Sequence, residues 1–362
     1  MEQVLQEFRE RIAAAHAART PLRLRGGGSK DWYGQAVTGE VLDTRAYRGI
    51  IDYEPSELVV TARCGTPLDE LEQVLAEQNQ MLAFEPPHFG PGATVGGMVA
   101  SGLSGPRRQG AGALRDFVLG ADLVDGRGEL LHFGGKVMKN VAGYDVSRLL
   151  AGSLGTLGLL ANVSLKVLPR PVRETTLAFE VGQQEALDKL NAWSGRALPI
   201  SSSAWLDGRL ALRLSGAGAA VDAAARELGG AHGGEIMADA DRFWHDLREQ
   251  RADFFFGAHH AGLWRLALPS TTPPLDLPGS QLIEWGGGQR WLLGTSGANS
   301  EAARIRKTAI EHGGHATLFR GGDKGHGVFS PLQPALARIH RRLKDTFDPA
   351  GIFNPARMYN EF

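Results

Sequence analysis

The sequence predicts a two-domain α+β protein, and three observations carry that prediction. Strand and helix patterns alternate through the first 170 residues. A β-α-β-β-α order then occurs twice, loosely, in the second part. Glycine-rich loops punctuate the first part, and at 362 residues the chain is long enough for two full cores.

The first eighteen residues read as a charged amphipathic helix. Residues 57–63 are β-like and end at Gly65. Thr66 then offers an N-cap and Pro67 a first helical residue, with Asp69 and Glu70 in the first turn, where the helix dipole favours acids. Leu68, Leu71, Val74 and Leu75 keep helical spacing. A β-rich stretch over 117–133 is hinged by Asp125-Gly126-Arg127-Gly128. A short helix over 145–151 and a long strand over 157–168 follow, and Pro169-Arg170-Pro171 closes the domain at about residue 170.

In the second domain, a strand (175–181), a helix (184–193), a hairpin (203–206 with 209–214) and a helix (217–228) are echoed further on. The echo comprises strands at 263–268, 281–285 and 290–294, a helix at 300–312 and a strand at 315–319. The hairpin turns are alike, Trp205-Leu206-Asp207-Gly208-Arg209 against Trp285-Gly286-Gly287-Gly288-Gln289-Arg290. Two ferredoxin-like halves side by side would bury a common sheet face.

Composition excludes several classes. The net charge is −1 and the pI about 6.8, so no basic field points to nucleic acid or an anionic membrane. No apolar run reaches membrane-spanning length. The one cysteine, Cys64, excludes a disulfide, an iron–sulfur cluster or a cysteine zinc site within this chain. The N-terminal helix lacks an apolar leader core, so a cytoplasmic location is expected. Glycine supplies 48 residues, about twice its usual share of roughly 7%, which favours backbone approaching a ligand at several points.

The most informative of those glycines follow a short strand, in Leu22-Arg23-Leu24-Arg25-Gly26-Gly27-Gly28-Ser29-Lys30. Three residues without Cβ let successive N–H groups face one concavity, a shape that suits a phosphate, with Ser29 and Lys30 as side-chain donors. The loop lacks the order of a Walker A motif. It also lacks the last glycine of a Rossmann fingerprint, and Asp31-Trp32-Tyr33-Gly34 is a poor helix start. Tight turns alone remain the plain reading of this loop. A second cluster, Gly92-Ala93-Thr94-Val95-Gly96-Gly97, makes a large phosphate-bearing cofactor the leading idea.

Taken in order, Arg25 to Lys30, Gly65-Thr66-Pro67-Leu68, Pro86-Pro87, Thr94-Val95-Gly96-Gly97 and Gly152-Ser153-Leu154-Gly155-Thr156-Leu157-Gly158 resemble the vanillyl-alcohol-oxidase, or PCMH-type, FAD-binding family. So do Lys139-Asn140-Val141-Ala142-Gly143-Tyr144-Asp145 and the tail Phe347-Asp348-Pro349-Ala350-Gly351-Ile352-Phe353-Asn354-Pro355. Within the family the chain is most similar to the E-type FAD-binding subunits of bacterial glycolate oxidases. The resemblance implies a two-part PCMH-type FAD-binding domain (1–170), a smaller α+β, ferredoxin-like cap domain (171–345) and a tail (346–362) that returns to the FAD domain.

It also implies site residues. Arg25, Gly26, Gly27, Gly28, Ser29 and Lys30 would wrap the FAD pyrophosphate. Gly65, Thr66 and Pro87 would also belong to the cofactor site. Thr94, Val95, Gly96, Gly97, Ser101, Gly102, Ser104 and Gly105 would close over it near the flavin ring. Gly155, Gly158 and Leu159 would lie against the ribose and adenine. The implied activity is oxidation of a small 2-hydroxy acid, glycolate, with electrons passed to partners. Those partners would be a sister flavin subunit and an iron–sulfur subunit, through which the chain could associate peripherally with a membrane.

Departures from the pattern narrow this. Family members with covalent flavin carry a His in or beside the first glycine loop, where this chain has Ser29 and Lys30, so the FAD is expected to be non-covalent. Flavin 2-hydroxy-acid dehydrogenases of the family have Gly-Ser-Glu-Gly where Gly152-Ser153-Leu154-Gly155 stands, and a His-containing metal cluster that nothing here reproduces. No metal site and no catalytic residue is therefore assigned, and a sister subunit is expected to perform the oxidation. A self-sufficient FAD oxidoreductase acting on a 2-hydroxy acid or lactone, and a non-catalytic assembly subunit, are the alternatives. His259-His260, His312 with His315, and His326 read as surface or capping histidines. Cys64 reads as a small buried hydrophobe, and Trp32 and Tyr33 as packing. Arg107-Arg108 fit either a ligand anion or solvated surface.

Overall fold

A computed structural model describes residues 1–135, 145–257, 262–295 and 299–361. Most of the Lys139 to Asp145 motif, and His259-His260, lie outside the described residues. The chain divides into two compact units. The first is Met1–Ser104, Ala113–Pro169 and Pro331–Phe362, and the second is Gly105–Gly112 and Arg170–Ser330.

The first unit opens with helix Glu2–Ala18, which buries Phe8, Ile12 and Ala15. Strands Leu22–Arg25 and Glu40–Asp43 pair in parallel. A five-stranded antiparallel sheet then runs in the order Ile50–Glu54, Val59–Arg63, Leu159–Lys166, Val118–Val124, Leu130–Gly134. Val59, Val60, Thr61 and Ala62 are all buried, so this strand is covered on both faces. Helix Leu68–Glu77 buries Leu68, Leu71 and Leu75 on one stripe. Its N-cap is Pro67, not Thr66. The Thr66 hydroxyl turns inward, donating to the Arg63 carbonyl at 2.6 Å and accepting the Gly49 N–H at 2.8 Å.

The C-terminal tail completes this unit. Leu22 N–H donates to the Ile352 carbonyl at 2.7 Å and Asn354 N–H to the Leu22 carbonyl at 3.0 Å. Phe8, Ile12, Leu22, Leu42, Ile352 and Phe353 share one core with Leu159 and Ala161. The return begins at Pro331, ahead of the expected 346, because helix Pro334–Phe347 seats its last turn here. Phe347 meets the Phe133 ring at 5.9 Å, and buried Lys344 donates to the carbonyls of Thr156 and Phe353, each at 2.8 Å.

The second unit holds an eight-stranded sheet. Its order is Glu235–Ile236, Arg173–Glu180, Arg209–Gly216, Ile200–Leu206, Gln281–Glu284, Gln289–Leu293, Leu263–Ala267, His315–Arg320. The internal echo takes a definite form: each half contributes four strands in mirrored order, and the two hairpins meet at the centre through Ala204 to Leu206 against Leu282 to Glu284. Helices Gln183–Ser194 and Gly218–His232 pack on the first half around Leu177, Trp193 and Leu228. Ile305 and Ala309 of helix Asn299–Glu311 pack on the second half with Trp264 and Leu318.

Segment Gly105–Gly112 belongs to this unit, and its side chains show why. Arg107 pairs with Glu174 at 2.9 Å, Ser203 donates to Gln109 at 2.6 Å, and the Trp285 indole donates to the Gly105 carbonyl at 3.1 Å. The Arg108 guanidinium lies 4.4 Å from the centre of the Trp285 ring. Arg107 is therefore a buried ion-pair member, and Arg108, half-buried, is a cation–π partner of Trp285.

Candidate functional site

The site grows from the end of strand Leu22–Arg25. The chain turns through three glycines, and the facing loop leaves no room for a side chain on the first two. A Cβ on Gly27 would lie 1.4 Å from the Gly92 carbonyl oxygen, and one on Gly26 would lie 2.3 Å from the Thr94 hydroxyl. Gly28 has φ +76°, open to glycine at no steric cost. The two glycine loops therefore touch backbone to backbone. Among the described residues, no backbone carbonyl accepts from the N–H groups of Gly26, Gly27 or Gly28. The three glycines are half-exposed, so these donors are open to an acceptor from outside the chain.

Charged groups fix the rim. Asp31 accepts from Arg23 at 2.6 Å and from Arg25 at 2.8 Å. Lys30 donates to the His88 carbonyl at 3.2 Å and sits 5.6 Å from the Phe89 ring, which ties the first loop to the second. Arg357, from the tail, donates to the carbonyls of Lys30 and Asp31 at 3.2 and 3.1 Å. Burial pulls its guanidinium below the ordinary arginine range. The Trp32 indole donates to the Ser29 carbonyl at 3.0 Å and its ring meets Phe89 edge-on, so it packs the loop.

Two adjoining clefts result. The first, about 590 Å³, is lined by Arg23, Arg25, Gly26, Gly27, Gly28, Ser29, Lys30, Asp31, Thr94, Gly97, Ser101 and Arg357, among others. Four cations face a single carboxylate there, a donor set that suits a diphosphate. The second cleft, about 430 Å³, shares Leu24, Arg25, Gly26, Gly97, Ala100, Leu154 and Asn354 with the first. It continues past Gly96, Gly155, Gly158, Leu159 and Leu160 and is largely apolar. The residues present fit an extended dinucleotide, charged at one end of the groove and apolar along the rest.

Helix Val95–Ser101 forms one wall. Its N-cap Thr94 accepts the Gly97 N–H at 3.1 Å, and it closes on Gly102 in the left-handed conformation. A Cβ on Gly102 would lie 2.8 Å from Gly152 Cα, and one on Gly96 would lie 2.7 Å from Cys64 Cβ, so both serve close packing. Asn354 closes the floor: its Oδ1 accepts the Leu24 N–H at 2.9 Å while its Nδ2 donates to the Leu154 carbonyl at 2.7 Å.

Of the residues singled out from sequence, Arg25 to Lys30, Thr94, Gly96, Gly97, Ser101, Gly155, Gly158 and Leu159 line these clefts. Gly65, Thr66, Pro87, Val95, Gly102 and Ser104 are not among the residues that line them. Thr66 and Val95 are fully buried, and the Ser104 hydroxyl accepts the Leu114 N–H at 3.0 Å. A Cβ on Gly65 would meet the Thr44 carbonyl at 2.3 Å. Gly105 is placed with the second unit. Arg23, Asp31, Ala100 and Arg357 are cleft residues the sequence reading missed. Cys64 lines the second cleft while only 2% exposed, and burial pushes its thiol far up. His312, just past helix Asn299–Glu311, bonds the Thr308 carbonyl through its ring at 2.9 Å. Among the described residues, no three His, Cys, Asp or Glu side chains come together as a metal site.

Comparison with known proteins agrees with this architecture. Residues 4–134 match the FAD binding domain family. The chain is 49% identical to glycolate oxidase subunit GlcE of Escherichia coli (strain K12), over 98% of this chain and 97% of that protein. This chain belongs to the GlcE family. The FAD-binding oxidoreductases around that family include glycolate oxidase subunit GlcD of Bacillus subtilis (strain 168), 33% identical over 44% of this chain and 34% of that one. A D-lactate dehydrogenase of Archaeoglobus fulgidus is 33% identical over 46% and 37% of the two chains. Among solved structures, an alkyldihydroxyacetonephosphate synthase shares the fold at TM-score 0.67 and 16% identity, covering 98% of this chain and 76% of that one. The partial matches to GlcD and to the D-lactate dehydrogenase span less than half of this GlcE-family chain.

Proposed function

We propose that this chain is the FAD-holding GlcE-type subunit of a glycolate oxidase complex, with FAD bound non-covalently in the paired clefts. The observation that carries this reading is the meeting, in one groove, of three unclaimed glycine N–H groups with the side chains of Arg23, Arg25, Lys30 and Arg357. Those groups would hold the diphosphate, and the apolar run from Gly97 past Gly155 and Gly158 to Leu159 would hold the rings. Bound there, FAD supplies a two-electron redox centre. The chain's own residues orient it and exclude water from the Leu154 and Leu159 side.

Non-covalent binding follows from the chemistry of the lining. Ser29 and Lys30 stand where a tethering histidine would, and the Cys64 thiol is kept protonated by burial and is a poor nucleophile.

The oxidation of glycolate itself is assigned to a GlcD-type partner, with this chain in the electron path and an iron–sulfur subunit beyond it. Leu154 stands in the loop where related dehydrogenases carry a glutamate, which supports this division of labour. No helix among the described residues is long and apolar enough to cross a membrane. A cytoplasmic site, with any membrane attachment made through partners, is part of the same proposal. The test is spectroscopic. Glycolate added to the flavin-loaded chain alone should leave its visible bands unchanged, and adding a GlcD-type subunit should bleach them. Bleaching by the chain alone would establish a self-sufficient oxidoreductase instead.

A further inference from the structure

The tail fastens the first glycine loop at both ends. Just ahead of the loop, Leu24 donates its N–H to Asn354 Oδ1 at 2.9 Å. Just past it, Arg357 Nη2 donates to the carbonyls of Lys30 and Asp31 at 3.2 and 3.1 Å. The Arg357 carbonyl accepts the Gln35 N–H at 2.9 Å. As far as Phe353 the tail is anchored elsewhere, by buried Lys344 and Asp348. The stretch that then carries Arg357 to the loop is strained. Asn354 and Ala356 have φ of +39° and +60°, a left-handed conformation in which Cβ crowds the following carbonyl.

Arg357 is unfavourable where it sits unless an anion joins it. The residue is 8% exposed, and both acceptors of its Nη2 are uncharged carbonyls. The neighbouring carboxylate, Asp31, is already bonded to Arg23 and Arg25. Burial opposes the Arg357 charge, Asp31 supports it and Arg23 opposes it again. Three guanidiniums thus share one carboxylate, and a buried cation short of counter-charge is costly. All four side chains line the first cleft, where a bound diphosphate would redress the balance.

We propose that residues 355–361 form a latch closed by the cofactor: the diphosphate of FAD draws Arg357 to the cleft, and the seated Arg357 clamps the far end of the glycine loop. This rests on the flavin-binding reading above. With the anion gone, Arg357 withdraws, the backbone at Ala356 relaxes, and the loop loses its hold at Lys30 and Asp31. FAD therefore enters an open loop and is retained by a closed one.

The test is hydrogen exchange, read by mass spectrometry on the full chain stripped of flavin. FAD or inorganic pyrophosphate is then added at concentrations that calorimetry shows to saturate. Peptides 31–36 and 355–361 should exchange about tenfold or more faster in the stripped chain than in the FAD-loaded one. Pyrophosphate should slow both, and strand Leu159–Lys166 should not change. In Arg357→Met the 355–361 peptide should exchange alike with and without FAD, and FAD should dissociate about tenfold faster or more. Arg357→Lys keeps the charge and should retain part of the response. Equal exchange in the stripped and loaded chains would overturn the latch while leaving flavin binding intact. Slowing by FAD but not by bound pyrophosphate would overturn the diphosphate as its trigger. Faster exchange in strand Leu159–Lys166 as well would overturn a local latch in favour of general loosening. A stripped chain that binds neither FAD nor pyrophosphate would overturn the flavin reading together with this one.

Discussion

Asn354 donates from Nδ2 to the carbonyl oxygen of Leu154 across 2.7 Å, although 200 residues separate them in the chain. Because Asn354 Oδ1 also accepts the Leu24 N–H, one buried amide ties the tail, the 152–158 loop and the first strand into the floor of the cleft. Asn354→Ala leaves a buried N–H and a buried carbonyl unpaired. The expected cost is about 1–3 kcal/mol in urea unfolding. Flavin should also be lost on gel filtration, whereas a purely structural role would lower stability and leave flavin retention unchanged.

The glycine loop makes a sharper prediction. Gly27→Ala places a Cβ 1.4 Å from the Gly92 carbonyl and must force the two loops apart, so this variant should purify colourless. Gly218→Ala is the control: nothing lies within 4 Å of the added methyl, at the first residue of helix Gly218–His232. It should leave flavin content unchanged and raise stability by about 0.5–1 kcal/mol, read from the unfolding midpoint.

Lys344 and Asp348 form a buried pair, with Asp348 also accepting the N–H groups of Ile352 and Phe353 at 3.0 and 2.8 Å. Lys344→Met strands that carboxylate and leaves the Thr156 and Phe353 carbonyls without their donor. Equilibrium unfolding should show a loss of about 3–5 kcal/mol. Lys344→Met/Asp348→Asn should lose less than the sum of the two single changes, the signature of coupling in a double-mutant cycle.

Cys64 sets an alkaline limit. Its thiol keeps its proton in the folded chain well above the ordinary value of 9.0, because burial and the charge of Asp122 both oppose the thiolate. Above pH 9 the unfolded chain releases this proton and the folded chain does not, so stability falls as pH rises, at up to about 1.4 kcal/mol per pH unit. Cys64→Ala should remove that slope in denaturation curves taken from pH 8 to pH 10. Iodoacetamide should label Cys64 only in the unfolded chain.

The parts of this protein that were legible in its sequence are those whose cause is local. The loop at Arg25 to Lys30 and the cluster at Thr94 to Gly97 announce themselves through consecutive glycines. The mirrored halves of the eight-stranded sheet show through repeated hairpin turns near Asp207 and Gly286. What escaped was set by partners far along the chain. Arg357 reaches the loop from the tail, and Arg23 is indistinguishable from any strand arginine until Asp31 is seen beside it. Gly105 looked like one more loop glycine, but Trp285 fixes it in the other unit. Thr66 looked like an N-cap because Pro67 follows it, yet its hydroxyl was claimed by Arg63 and Gly49. Helix Pro334–Phe347 went unread in the sequence, and the structure buries only its last turn, at Lys344 and Phe347.

The account stands most directly on one measurement: the absorption spectrum of the purified chain before and after acid precipitation. It predicts visible flavin bands corresponding to one FAD per chain, with the flavin released wholly into the acid supernatant and absent from Gly27→Ala. A chain that stays colourless after incubation with excess FAD would contradict it, and so would flavin that remains in the acid pellet.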